Sequence, residues 1–397
     1  MSHLALDGVR VLDCTGILAG PFCTMLLADM GADVVKVERP NGGDDTRRMG
    51  PPFLGTDAVA FLMVNRNKRS VVLDLKSEQG TAVFRNLAAQ SDILVENLRP
   101  GAMKKLGLGY EDLRGDNPPL IYCSISGFGA TGPYKDRTGF DLVAQGMSGL
   151  MSITGHPGAT PAKVGVPISD LNGGMYATYG ILSAYINRLK TGQGQFVDTS
   201  LLEGSLAYTV WESASYFATG ETPGPVGSAH RMTAPYQAFR TADGFINIGT
   251  ANQKTWERLC TAVERRDLLN EPRFSSNADR VVNIKELAAT LEDTLSKYPM
   301  SHWLPILEKN GVPSGPINDM AAVYSDPHVL ARNMVETLHH PTAGEIKTIG
   351  IPVKLSETPG RIRRPAPLLG QHTDEVLREF GYSEDDLKKL HQSGSIS

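Results

Sequence analysis

The sequence predicts an α/β fold: a large domain built on a Rossmann-like parallel sheet, followed by a smaller α+β domain. Three observations carry that reading. Strand-like apolar runs alternate with helical segments as far as residue 199. A Gly/Pro-rich stretch at 219–229 then breaks the rhythm. Beyond it a β-hairpin and moderate-length helices follow, with a different texture.

In order, residues 9–13 form an apolar run, Gly20-Pro21 follows, and 22–30 reads as a helix leading to the β-rich run 32–38 (ADVVKVE). The strand–helix–strand unit recurs at 70–74 (SVVLD), 77–89 and 93–96 (ILVE), with a further strand at 120–124 (LIYCS). Repeated units of this kind imply right-handed crossovers and helices on both sheet faces. Residues 139–155 are small-residue rich and helical, and 170–190 is the clearest long helix, followed by a turn at 191–195 and a strand at 196–199. A hairpin is expected at 236–249 around Asp243-Gly244, then helices to about residue 310. The tail offers a strand-like run at 349–353 and a helix at 373–380, without an evident core of its own. The expected division is therefore 1–218 for the large domain, 219–325 for the linker and small domain, and 326–397 returning to the large domain, with 392–397 frayed.

Composition narrows the function. The 397 residues carry a formal net charge of −4, which gives no global basic field for nucleic acid or anionic membrane. No stretch approaches the roughly 20 apolar residues of a membrane span, and the N-terminal residues show no signal-peptide core. The expectation is a cytoplasmic enzyme, or one of an organelle matrix in a eukaryote. The four cysteines, Cys14, Cys23, Cys123 and Cys260, form no CxxC pair or Cys/His ligand spacing, so no metal is expected.

A parallel sheet invites a nicotinamide-dependent oxidoreductase. The turn after the first strand, CTGILAGPF, lacks the G-x-G-x-x-G spacing that such a site requires. A serine hydrolase would need a nucleophile elbow, and Cys123-Ser124-Ile125-Ser126-Gly127 lacks its first glycine. Asp170 stands at the start of the long helix. As an N-cap it would be purely structural. As a carboxylate kept anionic by the helix N-terminus, it would serve as a nucleophile, with Gly173-Gly174 letting a ligand approach the backbone. Basic residues recur in short sets, Arg39, Arg47-Arg48, Arg66-Lys68-Arg69, Lys76, Arg99, Lys104-Lys105 and Lys135-Arg137, most of them beside predicted strands. Each alone suits solvent; together, at the loops of one sheet, they suit a polyanion such as coenzyme A.

At these residues the sequence resembles the class III CoA-transferases, the family of formyl-CoA transferase, carnitine CoA-transferase and α-methylacyl-CoA racemase. The resemblance is carried by LDGVRVLDCTGILAGPFCTMLLADMGADVVKVERP near the start, NRNKRSVVLDLK at 65–76, DILVENLRPGAMKKLGLGYEDL at 92–113, GFGATGPYKDRTGFDLVAQGMSGLMSITG at 127–155, GVPSGPIND at 311–319 and PLLGQHTDEVL at 367–377. DDTRRMGPPF at 44–53 and PYQAFRTADGFINIG at 235–249 are most similar to the dicarboxylate-using, succinyl-CoA:glutarate branch.

The resemblance implies ring-shaped subunits interlocked as a homodimer, with the active site between large and small domains of different subunits. It implies acyl-CoA as substrate, no prosthetic group, and CoA transfer from a donor such as succinyl-CoA to an acid such as glutarate or itaconate. Asp170 falls on the nucleophile position. Leu18, Ala19, Arg39, Leu73, Asp74, Leu75, Lys76, Asn97, Leu98, Arg99, Lys105 and Arg137 fall on CoA-contacting segments. The racemase branch carries Gly-His-Asp where this chain has Gly139-Phe140-Asp141, so two-base proton exchange, the alternative within the family, lacks one base. The segment before Pro235 is short and lacks the glycine-rich loop of formyl-CoA transferase. Arg47, in Asp44-Asp45-Thr46-Arg47, is the expected grip on the acceptor's unreacted carboxylate, with a loop brace to Asp44 or Asp45 as its structural alternative.

Overall fold

The computed structural model describes residues 3–397. The chain divides into two compact units, one of residues 1–150, 163–217 and 327–397, the other of 151–162 and 218–326. Residues 151–162 were expected in the first of these and belong to the second.

The first unit is built on six parallel strands: β1 Arg10–Cys14, β2 Asp33–Glu38, β3 Lys68–Val72, β4 Ile93–Glu96, β5 Ile121–Ser126 and β6 Phe196–Ser200. Their order in the sheet is β3-β2-β1-β4-β5-β6. The order reverses direction between β1 and β4, and in open α/β sheets ligands bind beyond the carboxyl ends of the strands at that reversal.

The apolar runs follow from burial on both faces. Leu12, Val35, Val37 and Leu94 point into one core with Phe84 and Leu87 of α2 (Glu78–Ala89). Val11, Val34, Ile93 and Val95 point into the other with Cys23 and Leu27 of α1 (Ala19–Asp29) and Ile181 of the long helix α4 (Ile168–Thr191). Ser77 caps α2 by accepting the Gly80 N–H.

Between β5 and α4 the expected helix over 139–155 is broken, with α3 spanning only Asp141–Met147 before a separate turn at Leu150–Ile153. Gly149, between them, sits at φ 86°, a backbone conformation that ends a helix. The short helix α5 (Leu201–Leu206) follows β6.

The second unit holds the hairpin β7 (Tyr236–Arg240) and β8 (Phe245–Gly249), joined by β9 (Ser314–Pro316) in an antiparallel sheet. Helices α6 (Gln253–Ala262), α7 (Ile284–Leu295) and α8 (Met300–Lys309) bring Trp256, Leu291 and Leu307 into one core with Phe239 and Ile246.

The C-terminal segment departs from its expected form. Its strands are β10 (Val335–His340) and β11 (Gly344–Ile349), an antiparallel pair, whereas 351–353 is not strand. Helix α9 (Thr373–Glu379) is followed by a second helix, α10 (Glu384–Gln392). Residues 392–397 are not frayed: Ile396 bridges to Leu73 and is buried with Val376 and Leu390 in the core of the first unit, because an apolar side chain there completes the cover over β3. No described helix is long and apolar enough to cross a membrane.

Candidate active site

A cavity of about 780 Å³ opens at the carboxyl ends of the strands, where the sheet order reverses. Every strand from β1 to β5 contributes the residues just beyond its end: Thr15–Ala19, Arg39, Leu73–Lys76, Asn97–Pro100 and Gly127. Arg137–Phe140 and Asp170 add to the wall. The segment 137–140 lies close to β5 because Gly127 and Gly139 meet backbone to backbone; a Cβ on Gly127 would lie 2.7 Å from the Gly139 Cα.

Asp170 is the third residue of α4, with Pro167 at the N-cap position, so its carboxylate is not spent on capping. The first turn of α4 and the segment leading into it are fixed from outside. Asp141, the first residue of α3, accepts the Ser169 N–H at 2.9 Å, and Gln145, one turn on, accepts the Val164 N–H at 2.9 Å. Ser205 of α5 lies 2.7 Å from the Ser169 hydroxyl. Burial first, and then the charge of Asp141, raise the Asp170 carboxyl to about 6. The expectation that the helix N-terminus would hold it low is thereby corrected, since removal from water outweighs the dipole. A raised carboxyl is a stronger base and nucleophile when ionised, yet is still mostly ionised at neutral pH.

The rate of any step that uses the Asp170 carboxylate should therefore rise with pH through about 6 and level off above it. Asp141→Asn, which removes the like charge, should move that midpoint downward. Quenched single-turnover rates across the acid range measure both; a rate flat through that range would contradict the nucleophile role.

Of the other sequence-selected residues, Leu18, Ala19, Arg39, Leu73, Asp74, Leu75, Lys76, Asn97, Leu98, Arg99 and Arg137 all line this cavity. Arg39, Lys76, Arg99 and Arg137 are exposed at its rim. Arg39 pairs with Asp45, and the Arg137 guanidinium stacks 4.5 Å from the Tyr134 ring centre. Lys105, exposed at the end of the short helix Ala102–Lys105, does not line the cavity, although Leu106 beside it does.

Two expectations are overturned. Arg47 is 5% exposed and outside the cavity lining. Its guanidinium grips Glu38 through two bonds of 2.8 and 2.7 Å, pairs with Asp57 at 3.0 Å, donates to the Pro367 carbonyl and lies 3.7 Å from the Phe61 ring centre. Four of its five N–H donors are engaged within the protein, and both of its faces toward carboxylates are taken by Glu38 and Asp57. Nor does it brace Asp44 or Asp45, which pair with Lys36 and with Arg39 and Arg48 instead.

Gly173 and Gly174 serve packing rather than ligand approach. A Cβ on Gly173 would lie 2.7 Å from Leu201 of α5, and one on Gly174 would lie 2.5 Å from the carbonyl oxygen of Ala19. The pair lets α4 seat against α5 and the start of α1, so that Asp170, one turn before Gly174, lines the same cavity as Leu18 and Ala19.

Sequence reasoning passed over Thr15, Gly16, Ile17 and Leu201, which also line the cavity, and named Asp44 and Phe140 without placing them there. The available signal was position: Thr15–Ile17 directly follow the first strand, where the sheet order reverses.

Comparison with known proteins places the chain. It is 42% identical over 392 residues to the human protein named succinyl-CoA:glutarate CoA-transferase, covering 98% of this chain and 90% of that one. It is 40% identical to the succinate–glutarate CoA-transferase of Agrobacterium fabrum, covering 94% and 95% of the two chains. A crystal structure of a CAIB/BAIF family protein from Brucella suis superposes with a TM-score of 0.86 at 38% identity, over 96% of this chain and 100% of that one. The description CoA-transferase family III matches residues 6–373, and with relatives this similar along nearly its full length, the chain belongs to that family and is a CoA-transferase.

Proposed function

We propose that this enzyme moves CoA from succinyl-CoA to a free dicarboxylate of about four to six carbons, such as glutarate or itaconate, with Asp170 as the covalent nucleophile. The observation that carries the reading is the half-buried Asp170 carboxylate on the wall of a cavity rimmed by four cations at the sheet's reversal point. The names of the human and Agrobacterium relatives support the choice of donor and acceptor class.

A carboxylate oxygen of Asp170 attacks the thioester carbonyl; the C–S bond breaks, leaving an acyl-aspartyl anhydride and CoA thiolate. The thiolate attacks the aspartyl carbonyl and expels succinate, giving an aspartyl-CoA thioester. The acceptor carboxylate attacks that thioester to form a new anhydride and release the thiolate. The thiolate then takes the acceptor's acyl group and frees Asp170. Thioester energy is conserved throughout if water is kept from the anhydrides. Ile17, Leu18, Phe140 and Leu201 supply an apolar wall for that purpose. Phe140, where a racemase would need a base, has no titratable group to offer.

Arg39, Lys76, Arg99 and Arg137 together match the roughly four negative charges of CoA's diphosphate and 3′-phosphate. Arg39→Ala should cost about 1.5–3 kcal/mol of donor affinity, equally for every acyl chain, as measured by competition binding of different acyl-CoAs. A loss confined to one acyl chain would contradict a phosphate-binding role.

We further propose that the enzyme acts as a homodimer. Met175, Tyr179, Ile186 and Leu189 recur along one exposed stripe of α4, an apolar surface of the kind a second copy covers. An acceptor screen against succinyl-CoA, read by mass spectrometry of the acyl-CoA products, tests the substrate assignment. Dicarboxylates should outrun monocarboxylates of equal length; a preference for monocarboxylates would move the enzyme to another branch of its family.

A further inference from the structure

The turn that joins β1 to α1 is held in an unfavourable shape by a buried charge network. Ile17 sits at φ 67°, a left-handed conformation in which a β-branched residue is an outlier. Such a conformation persists only where its surroundings over-determine it, and it clusters at functional sites. Here side chains hold the turn's backbone groups. Asp13 accepts the Thr15 N–H at 3.0 Å. Asn97 accepts the Gly16 N–H and donates to the Gly16 carbonyl, both at 2.8 Å. Asp44 accepts the Ile17 N–H at 3.2 Å.

Lys36 joins these restraints. It lies in the middle of β2, fully buried, and its ammonium donates to the Thr15 carbonyl at 2.8 Å while pairing with Asp44 at 2.9 Å. It thus holds the turn at Thr15 directly and at Ile17 through Asp44. A buried ion pair is a poor source of stability, since apolar residues of similar volume often do as well or better. What the pair holds accounts for its presence better than stability does. The held turn delivers Leu18 and Ala19 to the cavity, and the Ala19 carbonyl is the atom against which Gly174, one turn from Asp170, is packed.

We propose that Lys36 is a positioning residue for the transfer reaction: acting with Asp44, it fixes the strained Thr15–Leu18 turn and so the part of the cavity wall beside the Asp170 carboxylate. It touches no substrate. The proposal rests on the reading of Asp170 as nucleophile, and a misplacement of about 1 Å at such a site can lower the rate roughly 10²-fold.

The test uses the full-length enzyme and the double variant Lys36→Met/Asp44→Asn, which removes both buried charges together. Three quantities are compared with wild type: the single-turnover rate of adduct formation on Asp170 from succinyl-CoA, the affinity for a non-hydrolysable succinyl-CoA thioether, and the thermal midpoint. The expected result is an adduct rate lower by roughly 10²-fold, with analogue affinity within about threefold and the midpoint nearly unchanged. Hydrogen exchange should rise across residues 15–18 while β1 and β2 stay protected.

An unchanged adduct rate, or a rate loss fully explained by lost affinity or a lowered midpoint, overturns the proposal. Absence of any adduct in the wild type would instead overturn the nucleophile reading. If the double variant fails to fold, Lys36→Arg takes its place; it keeps the charge but cannot reproduce the ammonium position. Positioning predicts a slowed adduct rate for it, and a wild-type rate would refute the role.

Discussion

Asp170→Ala is expected to abolish CoA transfer while leaving the fold and CoA binding in place. A covalent route has no substitute for its nucleophile, and losses on removing one reach 10³-fold or far more. The fold should tolerate the change because the first turn of α4 is held by Asp141 and Ser205, and the segment leading into it by Gln145, rather than by the Asp170 side chain. Binding should persist because the four rim cations are untouched. Steady-state turnover, CoA affinity and circular dichroism on the same preparation measure the three parts. Turnover within tenfold of wild type would remove Asp170 from the reaction path.

Arg47→Met should cost stability rather than specificity. Removing its charge leaves Glu38, buried on β2, and Asp57, buried close by, without their cation. Breaking a buried pair from one side typically costs about 3–5 kcal/mol. Denaturant unfolding should show that loss, and whatever activity remains should fall alike for glutarate and for a monocarboxylate of equal length. A selective loss with dicarboxylates at unchanged stability would restore Arg47 as the acceptor's grip and contradict the observed geometry.

Arg47 also shows where sequence reading stops. A buried arginine and an exposed one are the same letter. Glu38 and Asp57, which claim this one, lie on either side of it in sequence and meet it only through the fold. Gly173-Gly174 was ambiguous in the same way: two small residues on a helix admit either a ligand or another helix, and the carbonyl of Ala19 decided it. The six parallel strands were legible because their Val, Ile and Leu runs are buried on both faces.

The order of those strands was not legible, because parallel pairing leaves no local turn signal. The tail misled through composition. QSGSIS reads as disordered, yet Ile396 finds Leu73 across more than three hundred residues. The hairpin β10–β11 was missed although Ile346 and Thr348 alternate inward, a period-two signal present in the sequence itself. Asp170 was singled out by its place at a helix start and by family resemblance. Its raised carboxyl was out of reach, because that depends on desolvation and on Asp141, which only the fold brings near.

The central claim is that the acceptor's carboxylate bonds to Asp170 on its way to becoming a thioester. Oxygen-18 in the acceptor tests it most directly. In the proposed route the bridging oxygen of the second anhydride comes from the acceptor and stays with the aspartate when CoA thiolate takes the acyl group. After turnover with labelled glutarate in unlabelled water, the peptide containing Asp170 should carry oxygen-18, and the glutaryl-CoA should have lost one labelled oxygen. Turnover that leaves the Asp170 peptide unlabelled would contradict the covalent route and point to direct transfer between the two bound substrates.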